Sequence, residues 1–273
     1  MTPSPTTGTS RRLRPPPKPE TPGTSGSPDR PWIDRVSDQA VPDVPAVPGA
    51  VVSVLEEART RHLLGPAPLD EQVAHALGFV VAAVSAGAGA VPRRWLDLGS
   101  GGGLPGLVLA GAWPDSSGLL LDAAQRRARF LVESVDALGW ADRVAVVHGR
   151  AEDVARDPAY RAGFGLVVAR SFGPPAVTAE CGAPFLQVGG VLVVSEPPDE
   201  GPDRWPSEPL QTLGLAPERR VRDRFGYEVL RQIAPCPDRF PRRAGVAARR
   251  PLYRTSGEEP GVHREGERPD GEP

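Results

Sequence analysis

Arg94-Trp95-Leu96-Asp97-Leu98-Gly99-Ser100-Gly101-Gly102-Gly103-Leu104-Pro105-Gly106 reads as a short buried strand that runs into a glycine-rich turn and then a helix. Glycine admits positive φ and lets backbone N–H groups approach a ligand with no Cβ in the way. The helix that follows, expected over 104–112, points its N-terminus into the same space and tolerates Pro105 in its first turn. A nucleotide-shaped ligand is the first expectation.

The positions of the acids separate two ligand classes. A dinucleotide fold needs G-x-G-x-x-G directly after the strand and an acid about 20 residues later. Gly101, Gly103 and Gly106 fit that spelling, with Asp122 as the acid, but they come after Asp97 and Gly99 have already closed the strand. The other spelling is Asp97-x-Gly99-x-Gly101-x-Gly103. An acid at the strand tip repels a pyrophosphate and suits the cationic amino-acid end of S-adenosylmethionine. Asp122 ends a second apolar run, Gly118-Leu119-Leu120-Leu121-Asp122, where a carboxylate can accept both ribose hydroxyls. The methyl donor is favoured; the dinucleotide and a turn with no ligand stay open at this point.

The chain has 273 residues, 39% hydrophobic and 24% charged, enough for one sizeable domain with extra segments. Twelve of its 34 prolines lie in the first fifty residues, and 1–45 lack apolar periodicity, so they are expected to be disordered. The polar tail from 256 is expected to be the same. Net charge is −2, so any nucleic-acid contact must come from a local patch. Two cysteines, Cys181 and Cys236, make neither a disulfide framework nor a zinc site. A reducing cytoplasm is the expected compartment, a monomer the default, and no metal is implied. No stretch approaches the roughly 18 apolar residues of a membrane span, so no membrane contact is expected.

From Val47 the apolar spacing of Val51, Val52, Val54, Leu55 and Ala58 predicts a helix, and 70–86 predicts a second, with Leu69-Asp70-Glu71 as its cap and acidic first turn. Together, 46–92 form a helical cover ahead of the sheet. His62 and His75 in this cover are read as packed or solvated. Beyond the glycine turn, strands at 117–122, 143–148, 164–169 and 191–195 alternate with helices at 124–138, 151–155 and 176–185. That alternation over 93–255 gives an α/β, doubly wound, Rossmann-like sheet whose ligands bind at the carboxyl ends of the strands, where Gly99, Asp122, Glu152 and Arg170 fall. Gly189-Gly190 is read as the turn into the strand at 191. A short helix at 210–215 and an antiparallel pair, 219–225 with 227–234, follow. Asp238 to Leu252 then carries five arginines in fifteen residues, a strong local basic segment.

Five groups of residues occur in one order: Leu96 to Gly106; Leu121-Asp122 with Arg126-Arg127-x-Arg129-Phe130-Leu131; Val147-His148-Gly149-Arg150-Ala151-Glu152-Asp153; Val168-Ala169-Arg170-Ser171; and Phe240-Pro241-Arg242-Arg243-Ala244-Gly245. Together they resemble the RsmG (glucose-inhibited division protein B) family over about 69–252. That resemblance implies a class I S-adenosylmethionine-dependent methyltransferase acting on N7 of a guanine in 16S ribosomal RNA, with the small ribosomal subunit as partner. It implies that Asp97, Gly99, Ser100, Gly101 and Gly103 surround the donor's methionine part, with Leu104 also on the donor. It sets Asp122 on the ribose and Ala151 and Glu152 beside the adenine. Arg170 would face the meeting point of donor and base, and Arg242 and Arg243 would lie near the RNA backbone. Arg126 and Arg127 are read as RNA contacts or, with Arg129, as a solvated helix face. Arg150 is a partner for Asp153 or another acid.

The sequence departs from the family's pattern in the cover. Glu56 to Leu63 and Gln72-Val73-Ala74-His75 stand where members carry Trp-Asn, Asn-Leu-Thr and Glu-Arg-His. A small-molecule methyltransferase of the same fold and a non-catalytic donor-binding relative are the alternatives. Guanine N7 is an unprotonated lone pair, so its methylation needs in-line positioning and no general base.

Overall fold

The computed structural model describes residues 46–87, 90–198, 203–222 and 224–255. The segments 1–45 and 256–273, expected to be disordered, lie outside the described residues. Seven strands form one sheet: β1 (Arg94–Leu98), β2 (Ser117–Asp122), β3 (Val144–His148), β4 (Phe164–Ala169), β5 (Leu186–Glu196), β6 (Leu215–Arg222) and β7 (Gly226–Gln232). Their order is β3-β2-β1-β4-β5-β7-β6. The first five are parallel, and β7 inserts antiparallel between β5 and β6. The order reverses between β1 and β4, so a crevice opens at their carboxyl ends.

Central strands covered on both faces must be apolar on both. Leu96, Leu98, Leu120, Val167, Val168, Leu192 and Val193 are accordingly inaccessible to solvent. One face carries α1 (Gly49–Thr60), α2 (Leu69–Ala86), α3 (Gly106–Ala112) and α4 (Gln125–Ala137), packed around Trp95, Leu120, Val168 and Val193. The other carries α5 (Ala151–Val154), α6 (Pro175–Gly182) and α7 (Ser207–Gln211), around Leu96, Leu98, Val167 and Leu192. A last turn, α8 (Val246–Arg249), buries Ala247. On α4, Phe130, Leu131 and Val135 face inward while Arg126, Arg127 and Arg129 stay in solvent, the amphipathic division its sequence spells.

α2 is apolar almost all round from Gly78 to Val84, as suits a helix pressed between α3 and the β5–β7 part of the sheet. Gly78 permits this approach: a Cβ there would lie 2.0 Å from the Tyr227 hydroxyl oxygen, which donates its hydrogen to the His75 carbonyl at 2.6 Å. The first turn holds Asp70 and Glu71 as expected, but Pro68 takes the cap position and no side chain caps the helix.

Three local expectations are corrected. Gly189 and Gly190 do not start β5; the strand begins at Leu186 and runs through them. They form an irregularity where the pairing with β4 slips between Phe164 and Leu166, and a Cβ on Gly190 would crowd three carbonyl oxygens at 3.0–3.1 Å. The helix after the glycine turn begins at Gly106 rather than 104, because Leu104 and Pro105 complete the turn. The helix expected at 210–215 lies at Ser207–Gln211, directly after Pro206.

Candidate functional site

The glycine turn is fixed to the neighbouring strand by its own backbone. Gly99 and Ser100 both donate their N–H to the Leu121 carbonyl, at 2.9 and 3.0 Å, and Ser100 Oγ donates to the Asp97 carbonyl at 3.0 Å. Gly99, Gly101 and Gly103 all take positive φ, at 76°, 57° and 101°. Gly101 faces open space: an added Cβ would meet only the Gly99 oxygen, at 3.9 Å.

Two carboxylates stand at the tips of adjacent strands. Asp97 is wholly buried; its Oδ2 accepts from the first N–H of α3, Gly106, at 2.9 Å, and its Oδ1 has no partner. Burial pushes this carboxyl up to about 7, against the pull of the Gly106 hydrogen bond, the nearby Ser100 hydroxyl and the Arg170 charge. Asp122 accepts from Gly101 N–H through Oδ2 and from Ala124 N–H through Oδ1, both at 2.8 Å, which leaves one lone pair free on each oxygen.

Across the crevice, Arg170 follows the end of β4. Its Nη2 donates to Gln72 Oε1 at 3.0 Å, and its buried Nη1 has no partner. Burial lowers its pKa, with the Asp97 charge acting in the opposite sense. Ser171, next in the chain, is a non-glycine residue held at φ 53°, a conformation that costs about 1–3 kcal/mol. Phe172 lies against Gly99, where an added Cβ would meet its ring at 2.7 Å. Behind Arg170, His75 packs among Phe79, Phe225 and Tyr227, with its ring 4.8 Å from that of Phe225. Burial, and then the Arg170 charge, drop its pKa to about 4, so it is neutral at pH 7.

Asp97 makes stability depend on pH in a definite direction. Its folded-state value near 7 stands above the unfolded 3.8, so the folded protein binds the proton more tightly. The associated stability is fully present below about pH 4 and is lost as pH rises to about 7. Urea titrations of the ligand-free protein should show stability falling across that window by up to about 1.4 kcal/mol per pH unit. Asp97→Asn should flatten the slope, and a wild-type slope in that variant would assign it to another group.

On the other face of the sheet, Ala151 and Glu152 are buried at the start of α5. Glu152 Oε1 accepts from Gly245 N–H at 2.9 Å and from Arg150 Nη2 at 3.5 Å, so Arg150 pairs with Glu152 rather than Asp153. The C-terminal basic segment is stitched down along the same side. Arg161 donates to the carbonyls of Cys236, Pro237 and Phe240, and Arg156 to that of Pro241.

Arg242, expected at the RNA backbone, is bound to a buried carboxylate. Its backbone N–H and Nε donate to Glu180 Oε1 at 2.9 Å, and its Nη2 to Oε2 at 2.5 Å. Glu180 is completely buried on α6, and its carboxylate holds the Nε–Nη2 edge of the guanidinium. Arg243 is exposed, with no ion-pair partner among the described residues. Arg126 reaches the Arg61 carbonyl at 2.5 Å, and Arg127 stands 3.8 Å from Asp122. Arg129 is exposed.

Gln72, Phe172 and Glu180 touch residues expected at the site, and the sequence does not announce them. Phe172 could be found from its adjacency to Arg170-Ser171; nothing in the local pattern marks Gln72 or Glu180. A cavity of about 630 Å³ opens at the opposite end of the sheet, lined by Arg93, Arg94, Asp115, Ser117, Gln187 and Arg231 among others. It shares none of the groups just described. Among the described residues no cluster of three His, Cys, Asp or Glu side chains is placed to hold a metal, and no helix is long and apolar enough to cross a membrane.

A family profile described as rRNA small subunit methyltransferase G matches residues 51–196. The ribosomal RNA small subunit methyltransferase G of Symbiobacterium thermophilum is 36% identical over 202 residues, covering 68% of this chain and 80% of that protein. The chain belongs to the rRNA small subunit methyltransferase G family. The Prochlorococcus marinus member is 38% identical over 169 residues, 59% of this chain and 68% of its own. Among solved structures, a candidate O-methyltransferase from Klebsiella pneumoniae superposes with a TM-score of 0.50 at 17% identity, covering 70% of this chain and 92% of its own; it shares the fold. As a member of this family the chain is a class I methyltransferase with S-adenosylmethionine as methyl donor. The residues fit that group, since the unpartnered Asp97 Oδ1, the free lone pairs of Asp122 and the open face at Gly101 converge where a cation bearing a ribose would lie.

Proposed function

We propose that the protein methylates N7 of a guanine in 16S ribosomal RNA within the small ribosomal subunit, in the cytoplasm. The observation that carries this reading is the pairing of a buried, half-satisfied carboxylate at the tip of β1 with a half-satisfied guanidinium after β4, across the switch point of a chain from this family. S-adenosylmethionine supplies a methyl on a sulfonium, which passes to the guanine lone pair with no proton to remove and leaves a neutral thioether. Asp97 Oδ1 meets the positive amino-acid end of the donor, and Asp122 accepts from the ribose. Ala151 and Glu152 border the adenine. The glycine turn approaches without side chains, with Gly99, Gly101 and Gly103 all at positive φ. Arg170 stands over the meeting point, where a planar cation holds a phosphate or the face of a base. The site carries no nucleophile–base pair, and N7 chemistry requires none.

The test is methyl transfer from labelled donor to small subunits and naked ribosomal RNA lacking the modification, followed by mapping of the product. Incorporation at a guanine N7 supports the reading. Donor binding without incorporation into either substrate would move the acceptor to small molecules or leave a non-catalytic binder.

Exposed Arg127, Arg129 and Arg243 provide the basic surface in place of Arg242. Substituting any one of them by alanine should weaken RNA binding and lower the slope of log affinity against log salt by about one unit for each phosphate no longer neutralised. Filter binding across a salt series checks this; unchanged slopes in all three variants would remove these arginines from the RNA interface.

A further inference from the structure

We propose that Gln72 is a positioning residue for methyl transfer: its side-chain amide orients Arg170 at the reacting centre and, through the same group, pins the loop between α1 and α2 over the glycine turn. The inference rests on the methyltransferase reading above and extends it to a residue of the helical cover.

The amide of Gln72 is hydrogen-bonded at both ends. It is 2% exposed. Its Oε1 accepts from Arg170 Nη2 at 3.0 Å, while Nε2 donates to the carbonyls of Gly65 and Ala67 at 3.1 and 2.9 Å. These bonds also fix which end of the amide is which: two carbonyls demand the NH2, and the guanidinium demands the oxygen. A flipped amide would set donor against donor at Arg170 and acceptor against acceptor at both carbonyls.

Arg170 therefore has one nitrogen engaged and one, Nη1, buried without a partner, and it interacts electrostatically with Asp97, whose Oδ1 is also unpartnered. A guanidinium is planar, so holding Nη2 fixes the direction in which Nη1 points. The carboxylate that acts on Arg170 is Asp97, and His75, which also feels the Arg170 charge, is neutral there. Gln72 is the side chain whose oxygen orients the cation.

The loop end of the same amide reaches the donor side. Leu63 and Leu64 lie on Gly102, where an added Cβ would meet Leu64 Cδ2 at 2.7 Å and the Leu63 carbonyl at 2.9 Å. One amide thus ties the α1–α2 loop, the glycine turn beneath it and the acceptor-facing arginine into a single unit.

Two variants separate these roles. Gln72→Met keeps the shape and loses every hydrogen bond; Gln72→Glu keeps an acceptor for Arg170 and loses the donor to the loop. With wild-type transfer established first, Gln72→Met should lower kcat by about 10- to 100-fold, as expected for a misdirected group at a reacting centre, and leave the donor Kd within about twofold. Gln72→Glu should restore kcat to within about threefold of wild type, while hydrogen exchange at 63–68 accelerates in both variants. Wild-type kcat in Gln72→Met, or equal kcat loss in the two variants, would overturn the proposal. If Gln72→Met does not fold alone, the pair Arg170→Ala and Arg170→Ala/Gln72→Met decides. With the guanidinium gone, losing the amide should cost no further kcat, and an additional loss would overturn the proposal. Absence of transfer by the wild type would count against the methyltransferase reading, and the exchange data would still report on the clasp.

Discussion

Arg242→Ala is expected to destabilise the protein by about 3–5 kcal/mol, the typical consequence of stranding one member of a buried ion pair. The residue it strands is Glu180, fully buried and supplied by Arg242 with a backbone N–H, Nε and Nη2. The backbone N–H survives the substitution; the guanidinium does not. A carboxylate left inside with one remaining donor keeps most of its desolvation cost. Urea unfolding measures the effect directly. The companion variant Glu180→Gln, made in the Arg242→Ala background, removes the stranded charge and should recover part of the loss. Unfolding of Arg242→Ala at the wild-type midpoint, with RNA affinity reduced, would return Arg242 to the RNA surface.

The second large effect is expected at Asp97. Asparagine is nearly isosteric and its Oδ1 can still accept from Gly106 N–H, so α3 keeps its start. The atom in the unpartnered position then becomes an NH2, which meets a cationic amino-acid end with a donor in place of a charged acceptor. Loss of a charged hydrogen bond is worth about 2–3 kcal/mol, so donor Kd should rise about 30- to 150-fold. Calorimetry with S-adenosylmethionine and with S-adenosylhomocysteine reads it. Circular dichroism matching the wild type would assign the change to the site, and an unchanged Kd would remove Asp97 from donor recognition.

Much of the fold is legible because its signals are local. The run Trp95 to Leu98 followed by three glycines at alternate positions places β1, its turn and the acid, and the alternating apolar stretches place β2 to β4. The Gly189-Gly190 irregularity is not legible, because glycine marks a turn and a bulge with the same letters, and only the slipped pairing with β4 separates them. The donor-side acids are legible for a related reason: each belongs to the end of an apolar strand. Arg242 misleads because five arginines in a short segment look like a basic surface, whereas the carboxylate that claims this one sits 62 residues earlier. Gln72 escapes for the mirror reason. An uncharged amide in an ordinary helix carries no signal until Arg170, 98 residues later, is folded against it.

The stitching of residues 242–245 to Glu180 and Glu152 also bears on how the chain is made. Synthesis runs from the N-terminus, so the sheet through β5 and both of these acids exist before the groups that satisfy them have been translated. Until that segment emerges, two carboxylates that belong inside the protein lack their partners. A ribosome still building this chain therefore carries a half-finished fold. Closure of this side of the sheet should arrive late and abruptly during translation, once residues 242–245 have emerged, rather than in proportion to the length of chain completed.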